Sequence, residues 1–271
     1  MIRRIILLAI VVLFLAVIVQ IYLDTNFFKV VEVQLTTRKI PAGEEIRILQ
    51  ISDLHDKVFG KDNESLVEAI HQVDADVIVI TGDLIDRSTK DLGRVFSLVE
   101  RITAKHQRVY FISGNHENAN RLRRELLDGL VSRGVIVLNN GNVELEVRGT
   151  AFNLAGVEDG PRKNVNQAME GINPDLYTVL LSHRPDLVAR IAEIPVDLIL
   201  SGHTHGGQVR LPFVGAIYAP NQGWLPKYDK GMFQILADRH LYVDSGLGTT
   251  HLPIRFLNKA QMSVIRIIGC G

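Results

Sequence analysis

The chain opens with a long apolar segment and continues with short apolar runs separated by amphipathic stretches. Every residue from Ile5 to Val19 is apolar, and Gln20 and Tyr22 are the only polar interruptions before Leu23. A membrane-spanning helix needs roughly 20 such residues. The pattern therefore predicts one N-terminal transmembrane helix, followed by a domain in which strands and helices alternate.

Two other interpretations of the apolar segment are a cleaved signal peptide and a buried core helix. Leu15-Ala16-Val17 and Val19-Gln20-Ile21 lack the small-x-small pattern of a cleavage site, which favours an uncleaved anchor. Arg3 and Arg4 precede the segment and favour a cytoplasmic N-terminus, although basic residues also follow it. We predict a single-pass anchor in the cell membrane, with the catalytic domain outside the cytoplasm.

The rest of the chain reads as one catalytic unit. We assign residues 1–24 to the anchor, 25–45 to a connector and first strand, and 46–271 to the catalytic domain. In the first half, buried strands at Ile46–Ile51, Val77–Ile80 and Val109–Ile112 are each followed by an amphipathic helix. The second half is richer in strands. The predicted fold is α/β, a two-sheet sandwich flanked by helices, with a strand order that the sequence leaves open.

The composition limits which partners and which metal ligands are possible. A chain of 271 residues with 46% hydrophobic content can bury a sizeable core. Lys+Arg and Asp+Glu both total 30, so no basic excess favours nucleic acid as a partner. Cys270 is the only cysteine, which excludes an intrachain disulfide and a thiolate metal site. Any bound metal must have nitrogen and oxygen ligands, which suit manganese, iron or zinc.

Potential metal ligands follow five of the predicted strands. These residues are Asp53 and His55, then Asp83, then Asn115 and His116, then His183, and finally His203 and His205. The carboxyl ends of strands are where α/β sheets gather ligands. Gly82, Gly114 and Gly202 stand directly before ligand positions, where glycine permits close backbone approach. A single Asp-Leu-His is common in turns, but five such ends in order are hard to explain as packing.

The ordered set resembles the motifs of the calcineurin-like metallophosphoesterases. The resemblance rests on Asp53-Leu54-His55, Gly82-Asp83, Gly114-Asn115-His116-Glu117, Ser182-His183 and Gly202-His203-Thr204-His205. The stretches Gly202–Gln208 and Leu247–Phe256 are similar to a bacterial membrane-associated branch that includes proteins like UDP-2,3-diacylglucosamine pyrophosphate hydrolases. The resemblance implies a four-layer αββα fold and a hydrolase with two divalent metal ions.

The resemblance also implies a role for each residue. Asp53, His55 and His205 would hold one ion, Asn115, His183 and His203 the other, and Asp83 would bridge the two. Two ions about 3.5–4 Å apart clamp the attacking and leaving oxygens of an in-line displacement. His116 would stabilise the phosphoryl oxygens or protonate the leaving group, because imidazole titrates near neutrality. Arg184, next to His183, is a weaker candidate for a phosphate contact.

The expected activity is hydrolysis of a phosphodiester, phosphomonoester or pyrophosphate bond, on a lipid-linked or membrane-associated substrate. The alternatives are a non-catalytic membrane-bound metal scaffold, and a protein phosphatase or nuclease of the same superfamily. A UDP-lipid substrate would need a cytoplasmic site, against the orientation that Arg3 and Arg4 favour.

Two segments near the site have open interpretations. Residues 211–228 combine aromatic and aliphatic side chains with Pro212, Pro220 and Pro226, so they form an irregular loop rather than a helix. This loop is either a lipid-facing lip or a cover for the edge of a sheet. His251 lies in a C-terminal loop whose approach to the site also stays open.

Overall fold

The computed structural model describes residues 1–250 and 252–271, so the predicted approach of His251 lies outside the described residues. The α-helices in this part of the chain are α1 (Ile2–Asn26), α2 (Glu64–Gln72), α3 (Gly93–Thr103), α4 (Asn115–Ala119), α5 (Arg123–Ser132) and α6 (Val165–Ala168). The strands are β1 (Phe28–Thr37), β2 (Glu45–Ile51), β3 (Val77–Ile80), β4 (Val109–Phe111), β5 (Val135–Val137), β6 (Gly141–Val147), β7 (Thr150–Val157), β8 (Tyr177–Ser182), β9 (Leu198–Ser201), β10 (Arg210–Leu211), β11 (Gly215–Ala216), β12 (Tyr218–Ala219), β13 (Gly223–Trp224), β14 (Gly231–Leu236), β15 (Arg239–Val243) and β16 (Ala260–Gly269).

Most strands belong to two six-stranded sheets of similar design. The first sheet has the order β1-β16-β2-β3-β4-β5, and its strands β2 to β5 are parallel. The second has the order β14-β15-β9-β8-β7-β6, in which β7, β8, β9 and β15 are parallel. Antiparallel strands flank each parallel set. The predicted two-sheet α/β fold is confirmed.

The alternation of side chains along the strands separates three apolar layers. Ile48 of β2 and Leu181 of β8 lie in the core between the sheets. Their chain neighbours point the other way: Leu49 packs with the helices over the first sheet, including Leu66 of α2. In the second sheet, Ile199 of β9 packs into an outer cluster that includes residues of α6. Strands that are covered on both faces have continuous apolar sequences. The layers have the predicted αββα order.

Helix α1 projects from the two-sheet domain, and its apolar side chains are exposed. It is long and apolar enough to cross a membrane, and its window of highest hydropathy is entirely unburied. The interpretation as a buried core helix is therefore wrong. Only the last turn is covered, where Asp24 and Thr25 are buried. The chain then enters β1, which pairs with β16 over its whole length, from Phe28↔Ala260 to Thr37↔Gly269.

Candidate dinuclear metal centre

The eight predicted site residues all follow strands of the two sheets. Asp53 and His55 follow β2, Asp83 follows β3, Asn115 and His116 open α4 after β4, His183 follows β8, and His203 and His205 follow β9. Parallel strands end at the same edge of a sheet, so each sheet gathers its own residues at one edge. The distances between side chains show that the two edges meet.

The first group contains Asp53, His55 and His205. The Nε2 atoms of His55 and His205 lie 3.2 Å apart. The Asp53 Oδ1 atom is 3.5 Å from Nε2 of His205 and 3.9 Å from Nε2 of His55. Three donor atoms from two sheets thus point at a common centre. This is the set that the family resemblance implies for one ion.

The second group contains Asp83, Asn115, His183 and His203. The His183 Nε2 atom lies 3.1 Å from each of three partners, which are Asp83 Oδ2, Asn115 Oδ1 and His203 Nδ1. The opposite nitrogen of His183 contacts the backbone oxygen of Thr81 at 2.9 Å. That contact suits an Nδ1–H donor and directs Nε2 at the second group. Against the effect of burial, the Asp83 carboxylate raises the pKa of His183 to about 10, so a metal ion would have to displace the Nε2 proton.

Asp83 joins the two groups. Its Oδ2 atom is 3.1 Å from His183 Nε2 in the second group and 3.7 Å from His55 Nε2 in the first. Its other oxygen accepts the backbone N–H of His116 at 2.8 Å. One carboxylate oxygen therefore lies within reach of both groups, as a bridging ligand requires.

The chemistry of the donors suits divalent cations. Burial lowers the pKa of His55 to about 4, lowers that of His203 to about 3, and lowers that of His205 as well. These imidazoles are therefore neutral at pH 7, the form that coordinates metal. Two fully buried carboxylates face them, at Asp53 and Asp83. Nitrogen and oxygen donors of this kind fit manganese, iron or zinc.

Five of the predicted ligands adopt a left-handed backbone conformation that is unfavourable for residues other than glycine. They are Asp53 (φ 51°), His55 (φ 49°), Asp83 (φ 52°), His203 (φ 69°) and His205 (φ 52°). Such conformations cost about 1–3 kcal/mol each and cluster at functional sites, where the surrounding structure imposes them. Here the strain turns ligands inward at the strand ends.

Two glycines make room for the buried carboxylates. A Cβ atom on Gly114 would lie 2.2 Å from Asp83 Oδ1, and one on Gly202 would lie 2.3 Å from Asp53 Oδ2. Neither distance is compatible with a side chain. Close approach is therefore the reason for glycine before Asn115 and before His203.

Glu117 is a positioning residue to which the sequence analysis gave no role. Its fully buried carboxylate accepts the backbone N–H groups of Asp83 and Gly114, both at 2.8 Å, and that of Ile85 at 3.1 Å. Burial and the nearby Asp83 carboxylate together raise the pKa of Glu117 to about 7. Its place in the motif after His116 was the available signal.

The Nδ1 atom of His116 has a hydrogen-bond partner whether or not it carries a proton. It lies 3.0 Å from Oδ2 of Asp86 and 3.1 Å from the backbone N–H of Arg87. A protonated Nδ1 donates to Asp86, and a bare Nδ1 accepts from Arg87. The other nitrogen, Nε2, lies 3.3 Å from the Arg87 guanidinium and 4.0 Å from Asp83 Oδ2, at the edge of the ligand cluster. Asp86, three residues after Asp83, was not predicted from the sequence.

Asn221 is a further missed residue, and it orients His203. Its Oδ1 lies 2.7 Å from Nε2 of His203, an arrangement that leaves Nδ1 facing the second group. Asn221 comes from the turn between β12 and β13. No periodicity or motif in that irregular segment marks it.

A cavity of about 450 Å³ opens beside His203. Its lining includes Arg184, Asn221, Lys227 and Tyr228. Arg184 forms an ion pair with Asp159 at 2.9 Å and still contributes to the wall of the cavity. The cavity offers positive charge and an aromatic ring next to the second group.

The sequence pattern of the calcineurin-like phosphoesterases matches residues 46–207. The matched region contains all eight predicted site residues. The chain belongs to this family. It is therefore a phosphoester hydrolase of a family that depends on dinuclear metal centres, and the site just described lies where the family pattern places its motifs.

Relatives in other organisms span most of the chain. The uncharacterised metallophosphoesterase YkuE of Bacillus subtilis is 32% identical over 254 residues, covering 91% of this chain and 87% of the relative. An uncharacterised metallophosphoesterase of Aquifex aeolicus is 30% identical over 96% of this chain and 100% of its own length. The transmembrane protein with metallophosphoesterase domain of Bos taurus is 29% identical over 82% of this chain and 53% of the bovine protein.

Proposed function

We propose that this chain hydrolyses a phosphodiester, phosphomonoester or pyrophosphate bond of a lipid-linked or membrane-associated substrate. Asp53, His55 and His205 would hold one ion, Asn115, His183 and His203 the other, with Asp83 shared. Manganese, iron or zinc would supply Lewis-acid polarisation of the phosphoryl group and a reactive water at neutral pH. The single observation that carries this proposal is the position of Asp83 Oδ2 between the two groups.

The residues of the chain bind, orient and move a proton around that chemistry. His116 Nε2 lies at the edge of the ligand cluster, so it can hand a proton to the departing oxygen. Burial lowers the pKa of His116, and the Asp86 carboxylate at Nδ1 fixes the ring and opposes that shift. A scaffold that only binds metal has no use for this His–Asp pair, which favours catalysis over that alternative.

The attachment of α1 to the site supports the proposed substrate class. The backbone N–H of Asn258 donates to the Asp24 carboxylate at the end of α1, at 3.0 Å. The side-chain amide of the same residue donates to the backbone oxygen of His205 at 2.7 Å. One residue therefore joins the last turn of the proposed anchor to a proposed metal ligand. This connection supports a site close to the membrane surface and a substrate held there.

The test of the activity uses the full chain in detergent, loaded with manganese after chelation. Hydrolysis of bis-p-nitrophenyl phosphate should require the metal and should be lost in His116→Ala. His71→Ala changes a histidine that contacts the backbone of Arg101, and it should leave the rate unchanged. Bound metal with no turnover on any phosphoester would contradict the enzyme and support the scaffold.

A second experiment tests the substrate class. The same phosphodiester headgroup is presented on a diacyl lipid in vesicles and as a water-soluble analogue, without detergent, to the full chain reconstituted in the vesicles. We expect a higher kcat/KM for the lipid. Equal efficiency on both substrates would remove the preference for membrane-associated substrates while leaving the hydrolase intact.

A further inference from the structure

The segment from Leu211 to Leu225 presents large apolar side chains to the outside of the protein. We define the apolar lip as Leu211, Phe213, Val214, Tyr218, Trp224 and Leu225, all of them exposed. Phe213 is fully exposed, and Trp224 is 76% exposed. We propose that the apolar lip docks into the interface of the bilayer that holds α1.

The apolar lip contains regular secondary structure. Two short hairpins form it, β10–β11 and β12–β13, and Phe213 stands in the turn of the first. In the second hairpin Tyr218 and Trp224 are cross-strand partners, with their rings 5.9 Å apart in an edge-to-face arrangement. Tyr and Trp combine an apolar ring with one polar atom, and they concentrate at membrane–water interfaces. Their pairing holds both rings on the outside.

The lip is tied to the end of α1 through one intermediate segment, residues 255–258. On the side of the helix, the backbone N–H of Arg255 donates to the Thr25 hydroxyl at 2.8 Å. The backbone N–H of Asn258 donates to Asp24 at 3.0 Å. These bonds, together with the burial of Asp24 and Thr25, fix the point at which α1 leaves the domain.

On the side of the lip, the same segment pairs with the strand that leads into the first hairpin. The backbone N–H of Arg210 donates to the Phe256 oxygen at 3.0 Å, and that of Phe256 donates to the Gln208 oxygen at 3.1 Å. Leu211 follows Arg210 directly. The base of the lip and the end of α1 are therefore bonded to a single short segment, which makes the lip continuous with the proposed membrane anchor.

Basic side chains surround the point at which α1 leaves the domain. Lys57 Nζ lies 3.3 Å from the Asn26 side chain, and Lys259 Nζ lies 5.9 Å from the centre of the Phe27 ring. Lys29 is exposed a few residues further along. Lysines close to a bilayer attract anionic headgroups. Apolar side chains beside a basic collar match the acyl and headgroup regions of a membrane, which favours a bilayer over a second copy of the chain as the occupant.

The experiment uses the fact that Trp224 is the only tryptophan in the chain. The full chain is reconstituted in vesicles of phosphatidylcholine and phosphatidylglycerol, with and without acyl chains brominated near the carbonyl end. We expect brominated lipid to remove most of the Trp224 emission. Phe213→Ser with Val214→Ser should restore much of it and should leave hydrolysis of bis-p-nitrophenyl phosphate unchanged.

A matched control shows whether the anchor alone brings any tryptophan near the lipid. Val131 is 59% exposed on α5, which packs on β5 at the edge of the first sheet opposite β1. A Val131→Trp, Trp224→Phe chain should keep its emission in brominated vesicles. Val131→Ser should leave the quenching of Trp224 unchanged.

The outcomes separate failure of docking from failure of the anchor, on which the proposal rests. Release of the chain by carbonate would overturn the anchor and the docking together. A retained chain whose Trp224 is quenched by aqueous iodide and not by brominated lipid would overturn docking alone. Emission shielded from both quenchers would show that protein covers the lip, which also contradicts the proposal.

Discussion

The Asp86 Oδ2 atom lies 3.0 Å from Nδ1 of His116 and 3.8 Å from Nδ1 of His55. The contact with His116 fixes the orientation of its ring and leaves Nε2 4.0 Å from Asp83 Oδ2. A histidine held in this way can deliver a proton from a defined atom. If His116 is the acid, its partner Asp86 should also be needed for full activity.

Asp86→Asn keeps the shape of the side chain and removes its charge. We expect kcat for bis-p-nitrophenyl phosphate to fall about 10- to 100-fold, the usual cost of losing a residue that orients a functional histidine. Combined with His116→Ala, the change should cost little more, because it acts through that ring. Asp91→Asn, at an exposed residue of the same loop that caps Gly93, should retain wild-type turnover. Independent, multiplicative losses in the double variant would contradict the pairing.

Gly114→Ala tests the packing behind the proposed bridge. The added methyl group would lie 2.2 Å from Asp83 Oδ1 and 2.7 Å from the Asp83 backbone nitrogen. Displacement of the carboxylate should reduce kcat/KM about 100-fold or more, the effect of a shift of about 1 Å in a catalytic group.

The matched control for this substitution is Gly141→Ala. A Cβ atom at Gly141 meets no heavy atom within 4 Å, and its backbone does not adopt a positive φ. Its activity and its free energy of unfolding should match those of the wild type. Equal activity in both alanine variants would show that Asp83 does not need its observed position.

Asn221→Ala should weaken metal binding at one site and leave the affinity of the other site unchanged. Without the 2.7 Å contact to Nε2, His203 loses the partner that orients its Nδ1. Titration against a competing chelator should show about 10- to 100-fold lower affinity for one of two ions. Asn166→Ala, at an exposed residue beside Arg190, is the control and should bind both ions normally. An unchanged titration for Asn221→Ala would remove its positioning role.

The side of the membrane is open to a labelling experiment because the chain has a single cysteine. In a Cys270→Ala background, Arg124→Cys places a thiol at a side chain that is 95% exposed on α5. With an extracytoplasmic domain, a membrane-impermeant maleimide should label this variant in spheroplasts and leave Arg3→Cys unlabelled. The reverse pattern would place the site in the cytoplasm, where a UDP-linked lipid would be accessible.

The sequence could place the predicted ligands at strand ends because that position depends on local rules. Asp53, Asp83 and His183 come shortly after apolar runs, and runs of this kind form buried strands whose ends share an edge. The layers followed from the same runs: Leu49 and Ile48 are neighbours that pack on opposite faces of one strand. The family model then matched the region that contains these motifs.

The residues that position the ligands were harder to find, because their contacts join distant parts of the chain. Asn221 meets His203 through a turn of an irregular segment, where no periodic pattern constrains the side chain. Asn258 meets Asp24 only because β1 lies beside β16, and that strand order leaves no trace in the sequence. Glu117 and Asp86 stood next to recognised motif residues, but their partners are backbone N–H groups and a ring nitrogen that only folding brings near.

The proposed centre holds two ions that share Asp83, and the electron paramagnetic resonance spectrum of the manganese-loaded full chain would reveal that sharing. Two Mn²⁺ ions joined by a carboxylate couple magnetically, so we expect an exchange-coupled spectrum at two ions per chain in the wild type. Asp83→Asn should give only isolated-ion signals and lose hydrolytic activity. A wild-type chain that binds two ions without coupling, or an Asp83→Asn chain that keeps the coupled spectrum, would contradict the bridged centre.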